Sequence, residues 1–225
     1  MASWMVHFRI ADALLDEIGG DAEQFIVGNI GPDCGEPNED WSSFTPSSEI
    51  SHWNTGKSKR GIQSEAFFDR YIKDQSSDSR YHFYLGYYVH LLTDKLWSSY
   101  VYEPTAMKYQ DRLEQDSGFI WVIKEDWYDL DARYLREHPD FRTFRIFEGI
   151  TAFPNVYLDY YSETAIEKRI QYIANFYRTY EGDLDREYQY LSEEQMDAFV
   201  AHAVEEIRKD LRSKGLIQER AGRME

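Results

Sequence analysis

The segment from Tyr81 to Tyr102, "YHFYLGYYVHLLTDKLWSSYVY", constrains the fold more than any other part of the chain. Apolar and aromatic residues occupy nearly every side of a helix drawn through it, and a helix that is hydrophobic all round has to lie inside a fold. The segment therefore predicts a central helix enclosed by others. Two of its residues sit uneasily in such surroundings. His90 and Asp94 are four apart, on one face of that helix. Burying an imidazole and a carboxylate there costs free energy unless they are paired or hold an ion.

The rest of the chain supplies helices to enclose it. Val6, Ile10, Leu14 and Ile18 recur at helical spacing, with Ser3 placed to cap the start and Gly19-Gly20 to stop the run. Asp21 and Gln24 predict a capping box that opens a short second helix ending near Gly28. From Gly28 to Lys59, "GPDCGEPNED" and "FTPSSE" mark a long loop, and long loops in compact domains usually carry function. The helical pattern resumes at Gly61, with further helices expected around residues 104–115, 117–136, 159–181 and 192–214, the last opened by a Ser192/Gln195 capping box. "FIWVI" fits a strand or a helix by periodicity alone. With no series of alternating strands joined by hairpin turns, the expected fold class is all-α, a multi-helix bundle with a long loop. Neither a linker nor a repeat divides residues 1–225, which read as a single domain.

Charge narrows the partners. Lys and Arg total 25 against 41 Asp and Glu, a net charge of 25 − 41 = −16, which repels nucleic-acid backbones and anionic lipid surfaces. There is no strong nucleic-acid signal. A phosphate-bearing ligand would need a local cation, and because the basic residues are scattered, a bound metal is the natural source. The lone cysteine, Cys34, excludes an internal disulfide framework and fits a reducing compartment. Arg9, Asp12, Asp16 and Glu17 interrupt the opening twenty residues, so these read as an amphipathic helix rather than a signal sequence. No run of eighteen apolar residues is present to span a membrane. Together these features give the expectation of a cytoplasmic protein with an aromatic-rich core of Tyr, Phe and Trp.

The pair His90 and Asp94 does not by itself establish a metal site. Six histidines among 41 acidic residues in 225 positions give roughly one His-x3-acid pair by chance, and two occur, His90/Asp94 and His202/Glu206. Zinc needs three or four ligands. The candidates to complete a set are His7, Asp33 in "GNIGPD" and His52 in "SEISHWN". Each has a plainer reading: His7 as a surface residue of an amphipathic helix, Asp33 as a turn residue after Pro32, His52 as a solvated loop histidine. His202 and Glu206 read first as a solvated helix face. Asp126, Asp129 and Asp131 in "KEDWYDLD" read as an acidic helix surface, and His138 as a helix end before Pro139. His82, eight residues before His90, lies about 12 Å away along the helix axis and cannot share its ion. Aromatics in residues 159–181 read as core rather than as a stacking platform for bases.

Taken in order, "MVH", "GNIGPD", "SHW" and "YYVHLLTD" resemble the zinc-dependent phospholipase C superfamily, which also contains the single-strand-specific nucleases. The likeness covers the chain to about residue 100. Similarity to small bacterial zinc-dependent phospholipase C-like proteins extends it through "KEDWYDLDARYLREHPDF". The resemblance implies an all-helical fold and a cluster of up to three zinc ions. Asp33, His52, His90 and Asp94 would form one zinc site, Asp94 would bridge to a neighbouring ion held also by His7, and Asp33 would double as the base for water attack. Two departures point to one or two ions rather than three. Family members begin at a tryptophan whose amino group ligates zinc, whereas Trp4 follows Met-Ala-Ser, and a histidine six residues after the helix aspartate is Tyr100 here. The function implied is zinc-dependent hydrolysis of phosphoesters, phosphodiesters above all, with a small phosphodiester or phospholipid head group as substrate. The alternatives are a single-strand nuclease and a metal-stabilised binding protein without turnover.

Overall fold

The apolar segment forms a helix, α5, over Tyr81–Trp97, which runs on through a π-helical turn at Ser98–Tyr102. Its structure comes from a computed structural model that describes residues 1–40, 42–56 and 58–217. Before α5 come α1 (Trp4–Ile18), α2 (Ala22–Gly28), a 3-10 turn at Gly31–Asp33, β1 (Glu36–Pro37), β2 (Phe44–Thr45), α3 (Ser48–Ser51), a second 3-10 turn at Lys59–Gly61 and α4 (Ser64–Tyr71). After it come α6 (Glu103–Lys108), α7 (Gln110–Gln115), α8 (Phe119–Glu137), α9 (Arg142–Gly149), α10 (Ala165–Arg178) and α11 (Glu193–Ser213). The two short strands pair antiparallel, Glu36 opposite Thr45 and Pro37 opposite Phe44. The fold is all-α. Among the described residues no helix is long and apolar enough to cross a membrane.

Local signals met different fates. The Ser192/Gln195 capping box of α11 forms in both directions. At α2 only half of the expected box forms: Asp21 accepts from the Gln24 amide, but the Gln24 side chain donates to Ser79 O instead. Ser3 stands at the N-cap of α1, yet its hydroxyl turns away to Asp131. "FIWVI" is the first turn of α8, residues 104–115 break into two helices at Tyr109, and the helix expected from residue 159 begins at Ala165. The sequence pattern did not indicate α9. The long loop is not bare coil, since it carries both 3-10 turns, the strand pair and α3.

Helix α5 packs on α1, α2, α4 and α11, and its closest partner is α2. A Cβ on Gly86 would fall 2.1 Å from Phe25 O, and one on Gly28 would fall 2.1 Å from Phe83 O. Only glycine allows two backbones this near. Phe67 stacks on Tyr87 with ring centroids 4.6 Å apart, and Trp97 meets Trp127 and Phe199 edge-on at 5.1 and 4.9 Å. The core is aromatic, as the composition implied.

A buried polar knot ties the start of the chain to this core. Ser3 Oγ donates to Asp131 Oδ1 and Tyr177 OH to Asp131 Oδ2, each at 2.8 Å, while the Met5 amide donates to Tyr177 OH. Burial nonetheless pushes the Asp131 carboxyl up to about 7, against the two hydroxyl donors that favour its charged form.

Two outcomes follow from these contacts. Gly86→Ala forces apart the α2–α5 crossing and lowers stability by about 1–3 kcal/mol, read in a thermal melt as a drop of about 3–10 °C. Asp131 has a folded pKa above its unfolded value, so its contribution is complete below the unfolded pKa near 4 and is lost as pH rises through about 7. Urea titrations will therefore show wild type losing ground to Asp131→Asn between pH 4 and pH 7, by on the order of 1 kcal/mol per pH unit, with no further divergence above pH 8.

Candidate metal centre

Four elements deliver charged or imidazole side chains to one buried point beside α5. His7 comes from α1, Asp33 from the first 3-10 turn, His52 from the end of α3, and His90 and Asp94 from α5 itself. All five residues singled out by sequence are thus brought together. The plainer readings of His7 and His52 do not hold, because both are buried. His7, His90 and Asp94 are fully shielded from solvent.

The two oxygens of Asp94 face two different groups. Oδ2 lies 3.6 Å from His52 Nε2, 3.9 Å from His90 Nε2 and 3.3 Å from Lys59 Nζ. Oδ1 accepts the Ala2 amide at 2.9 Å and stands 3.7 Å from His7 Nε2. Asp33 joins the first group: its Oδ1 is 3.3 Å from His52 Nε2, and its Oδ2 accepts the Trp4 indole N–H at 3.0 Å. Burial alone would raise both carboxyls. The close approach of His52, ahead of the electrostatic effect of the surrounding imidazoles, holds Asp33 well below the usual carboxylate range. For Asp94 the amino group of Met1, and after it Lys59, outweigh burial in the same way. Both are therefore carboxylates.

The orientation of His90 bears on what the cluster could hold. Its Nδ1 lies 2.7 Å from Asn29 O, and a carbonyl only accepts, so Nδ1 carries the proton. Burial, followed by the charge of His7, lowers the His90 pKa well below its ordinary value and keeps the ring neutral. Nε2 then presents a lone pair toward the carboxylates of Asp33 and Asp94. Lone pair against carboxylate is repulsive unless a cation lies between them, and a histidine fixed through its other nitrogen by a backbone carbonyl is how metal-ligating imidazoles are commonly oriented. Among the described residues, His7 Nδ1 and Nε2, His52 Nε2, His90 Nε2 and Asp94 Oδ2 are all buried without a hydrogen-bond partner. Five orphaned atoms in one place is far above what a satisfied protein interior tolerates.

The nitrogen and oxygen donors suit zinc or a similar first-row divalent ion. By distance, two overlapping groups meet the needs of an ion, His7 with His90 and Asp94, and Asp33 with His52 and His90. Ring geometry separates them. His7 stacks flat on His90, with centroids 3.8 Å apart and planes 2° from parallel. No point lies in both planes, so the two imidazoles cannot aim their lone pairs at one ion. An ion held by His90 would therefore share it with Asp33, His52 and Asp94 Oδ2, leaving His7 with Asp94 Oδ1.

The other sequence candidates lie elsewhere. Asp126 and Asp129 are buried and form ion pairs with Arg186, each at 2.7 Å. They are structural, although buried rather than the acidic surface their spacing implied. His138 bonds Tyr134 O at the exposed end of α8. His202 faces Tyr100, ring centroids 4.4 Å apart, in a separate cavity of about 410 Å³, and Glu206 pairs with Lys209. Cys34 is buried, with its thiol pKa raised by burial. Sequence reasoning missed Asn29, Lys59 and Lys124. Asn29 acts through its backbone, which leaves no side-chain signal, whereas Lys124 is the one cation in the run "FIWVIKEDW" and was open to notice.

A cavity of about 580 Å³ opens onto this centre, with Asp33 and His52 at one end and Trp121, Trp127, Tyr128 and Phe176 along its wall. No protein family model matches the chain, and neither a curated protein nor a solved structure shows significant similarity to it.

Ion binding couples to stability. Zinc at about 1,000 times its dissociation constant adds roughly 4 kcal/mol, a rise in Tm of about 8–16 °C for a chain of this size. His90→Ala and Asp94→Asn will lose that rise in differential scanning fluorimetry with and without zinc, whereas His202→Ala will keep it.

Proposed function

We propose that the chain is a zinc-dependent hydrolase of phosphoester bonds, similar in its chemistry to the phospholipase C superfamily that its motifs resemble. The observation that carries this reading is the orientation of His90, whose protonated Nδ1 is held by Asn29 O while its bare Nε2 faces two carboxylates. Asp33, His52, His90 and Asp94 would hold one ion, and His7 with Asp94 Oδ1 would contribute to a second. An ion held there supplies Lewis-acid polarisation of a phosphoryl oxygen and brings the pKa of water toward neutrality.

The chain's own residues do the rest. Asp33 is placed to accept the proton of the attacking water, because its Oδ1 faces the centre while Trp4 holds Oδ2. A carboxylate held this acidic is a weak base, so Asp33 serves chiefly to orient the water. Tyr172 and Phe176 each pack edge-on against Trp4, which holds its indole in place beside Asp33. A second reading, an ion-binding protein without turnover, is favoured by Tyr100. This residue replaces a family ligand, is 57% exposed and turns toward His202 instead of the centre.

The test measures zinc per chain by mass spectrometry in wild type, His90→Ala and Asp94→Asn, together with hydrolysis of a chromogenic phosphoester and of phosphatidylcholine. Wild type is expected to hold one to two ions, and the variants to lose metal together with more than about 100-fold in turnover. Zinc-reconstituted wild type that binds no ion would sink the proposal. Bound zinc without turnover on any phosphoester would promote the second reading.

A further inference from the structure

Lys124, on α8, lines the cavity that leads to Asp33 and His52. Its ammonium lies 4.6 Å from the centre of the Trp121 ring and 5.9 Å from that of Trp127. It makes no hydrogen bond or ion pair among the described residues, although the charges of Asp33, Asp94 and Lys59 all reach it. Burial lowers its pKa, which means that the fold holds this cation where solvation is poor. Its near neighbours are two indole faces, and the carboxylates of Asp33 and Asp94 act on it only through space, so in a chain of net charge −16 its N–H donors stay open to a ligand in the cavity.

A charge count identifies that ligand's class. Around the centre and on the cavity wall stand three carboxylates, Asp33, Asp40 and Asp94, and three side-chain cations, Lys59, Lys124 and Arg169. They cancel. The amino group of Met1, also beside Asp94, adds to the positive side, so one divalent ion leaves the site at +2 or more, which a singly charged diester offsets at most by half and a phosphate dianion offsets better.

We propose that Lys124 binds the free oxygens of a terminal phosphate, making a phosphomonoester with an aromatic or apolar alcohol the preferred substrate class of this centre. The inference rests on the phosphoester-hydrolase reading above and narrows it away from the diester that the sequence implied. In the reaction a water oxygen forms the new bond to phosphorus and the bond from phosphorus to the alcohol oxygen breaks. Asp33 orients the water, whose proton passes to solvent, and the departing alkoxide takes a proton from solvent. Inorganic phosphate and the alcohol are the products. The alcohol lies against Trp121, a residue 60% exposed that lines the cavity, and Lys124 offers a charge-assisted bond to the phosphate.

The experiment uses zinc-loaded full-length protein with p-nitrophenyl phosphate and bis(p-nitrophenyl) phosphate, and titrates inorganic phosphate by calorimetry as a readout independent of turnover. The monoester is expected to be preferred in kcat/KM. Lys124→Gln should cost about 30-fold on the monoester and less than about 3-fold on the diester. It should weaken phosphate binding about tenfold and leave zinc per chain unchanged. Lys124→Arg should recover most of the phosphate affinity, and Lys124→Met, which keeps the stem packed between the tryptophans, should match Lys124→Gln. Preference for the diester, or phosphate affinity indifferent to Lys124→Gln and Lys124→Met, overturns the proposal while leaving a zinc phosphoesterase standing. Failure of wild type to take up zinc overturns both.

Discussion

The carboxylate of Asp94, buried without exposure in the middle of an apolar helix, is the constraint on which the rest of the structure depends. A lone carboxylate there would protonate or unfold its surroundings. Instead the chain converges on it from every direction, with the Ala2 amide on one oxygen, Lys59 on the other, and three imidazoles within 4 Å. The converging elements are short. Neither the 3-10 turns at Gly31–Asp33 and Lys59–Gly61 nor the four residues of α3 have the length to be stable as isolated helices. The first turn and α3 are held to the core by hydroxyls, Tyr161 donating to Gly31 O and Pro32 O and Tyr87 donating to Ser51 O.

Precision at that point comes from backbone, not from side chains. Gly28 and Gly86 let α2 and α5 touch, and this contact places the carbonyl of Asn29, one residue beyond α2, within 2.7 Å of His90 Nδ1. The carbonyl fixes which nitrogen of His90 carries the proton, and so fixes what the other nitrogen presents to the carboxylates. A packing feature thereby becomes a chemical one. His7, stacked flat on the same ring, is held in a different plane and has to serve a different point in space. One helix crossing thus bears on both the tautomer of His90 and how the candidate ligands would divide.

How much of this was legible depends on whether the cause was local. The central helix could be read because an all-round apolar surface leaves no other place for it, and α11 because its capping box is wholly local. Helix α9 could not be read, since eight residues with Phe144 and Phe147 as its buried aromatics are too few to show a period. His7 lies on an amphipathic helix where either face was open to it, and only the fold decides that it faces inward. Asp126 and Asp129 look like surface charge in sequence because Arg186, their partner, is more than fifty residues away. The five candidate ligands were found through the order of motifs, not through any one spacing. The lysines that set the charge of the site escaped because in an acidic chain a lone lysine carries no pattern.

The contrast between the whole molecule and this one site bears on what it can accept. At physiological salt, charges beyond about 8 Å are largely screened, so the overall charge of −16 acts on extended ligands that approach many surface groups at once. A strand of nucleic acid meets that repulsion along its length and needs several cations to offset it. A small phosphoester entering the cavity between Trp121 and Phe176 passes most of that surface and answers to the few charges inside. On the proposed reading, the acidic exterior and the cationic interior act together as a filter that excludes polyanions and admits a single phosphate. An acidic net charge is thus compatible with phosphate chemistry when the site's cations are enclosed, and it argues for a small substrate over a polymeric one.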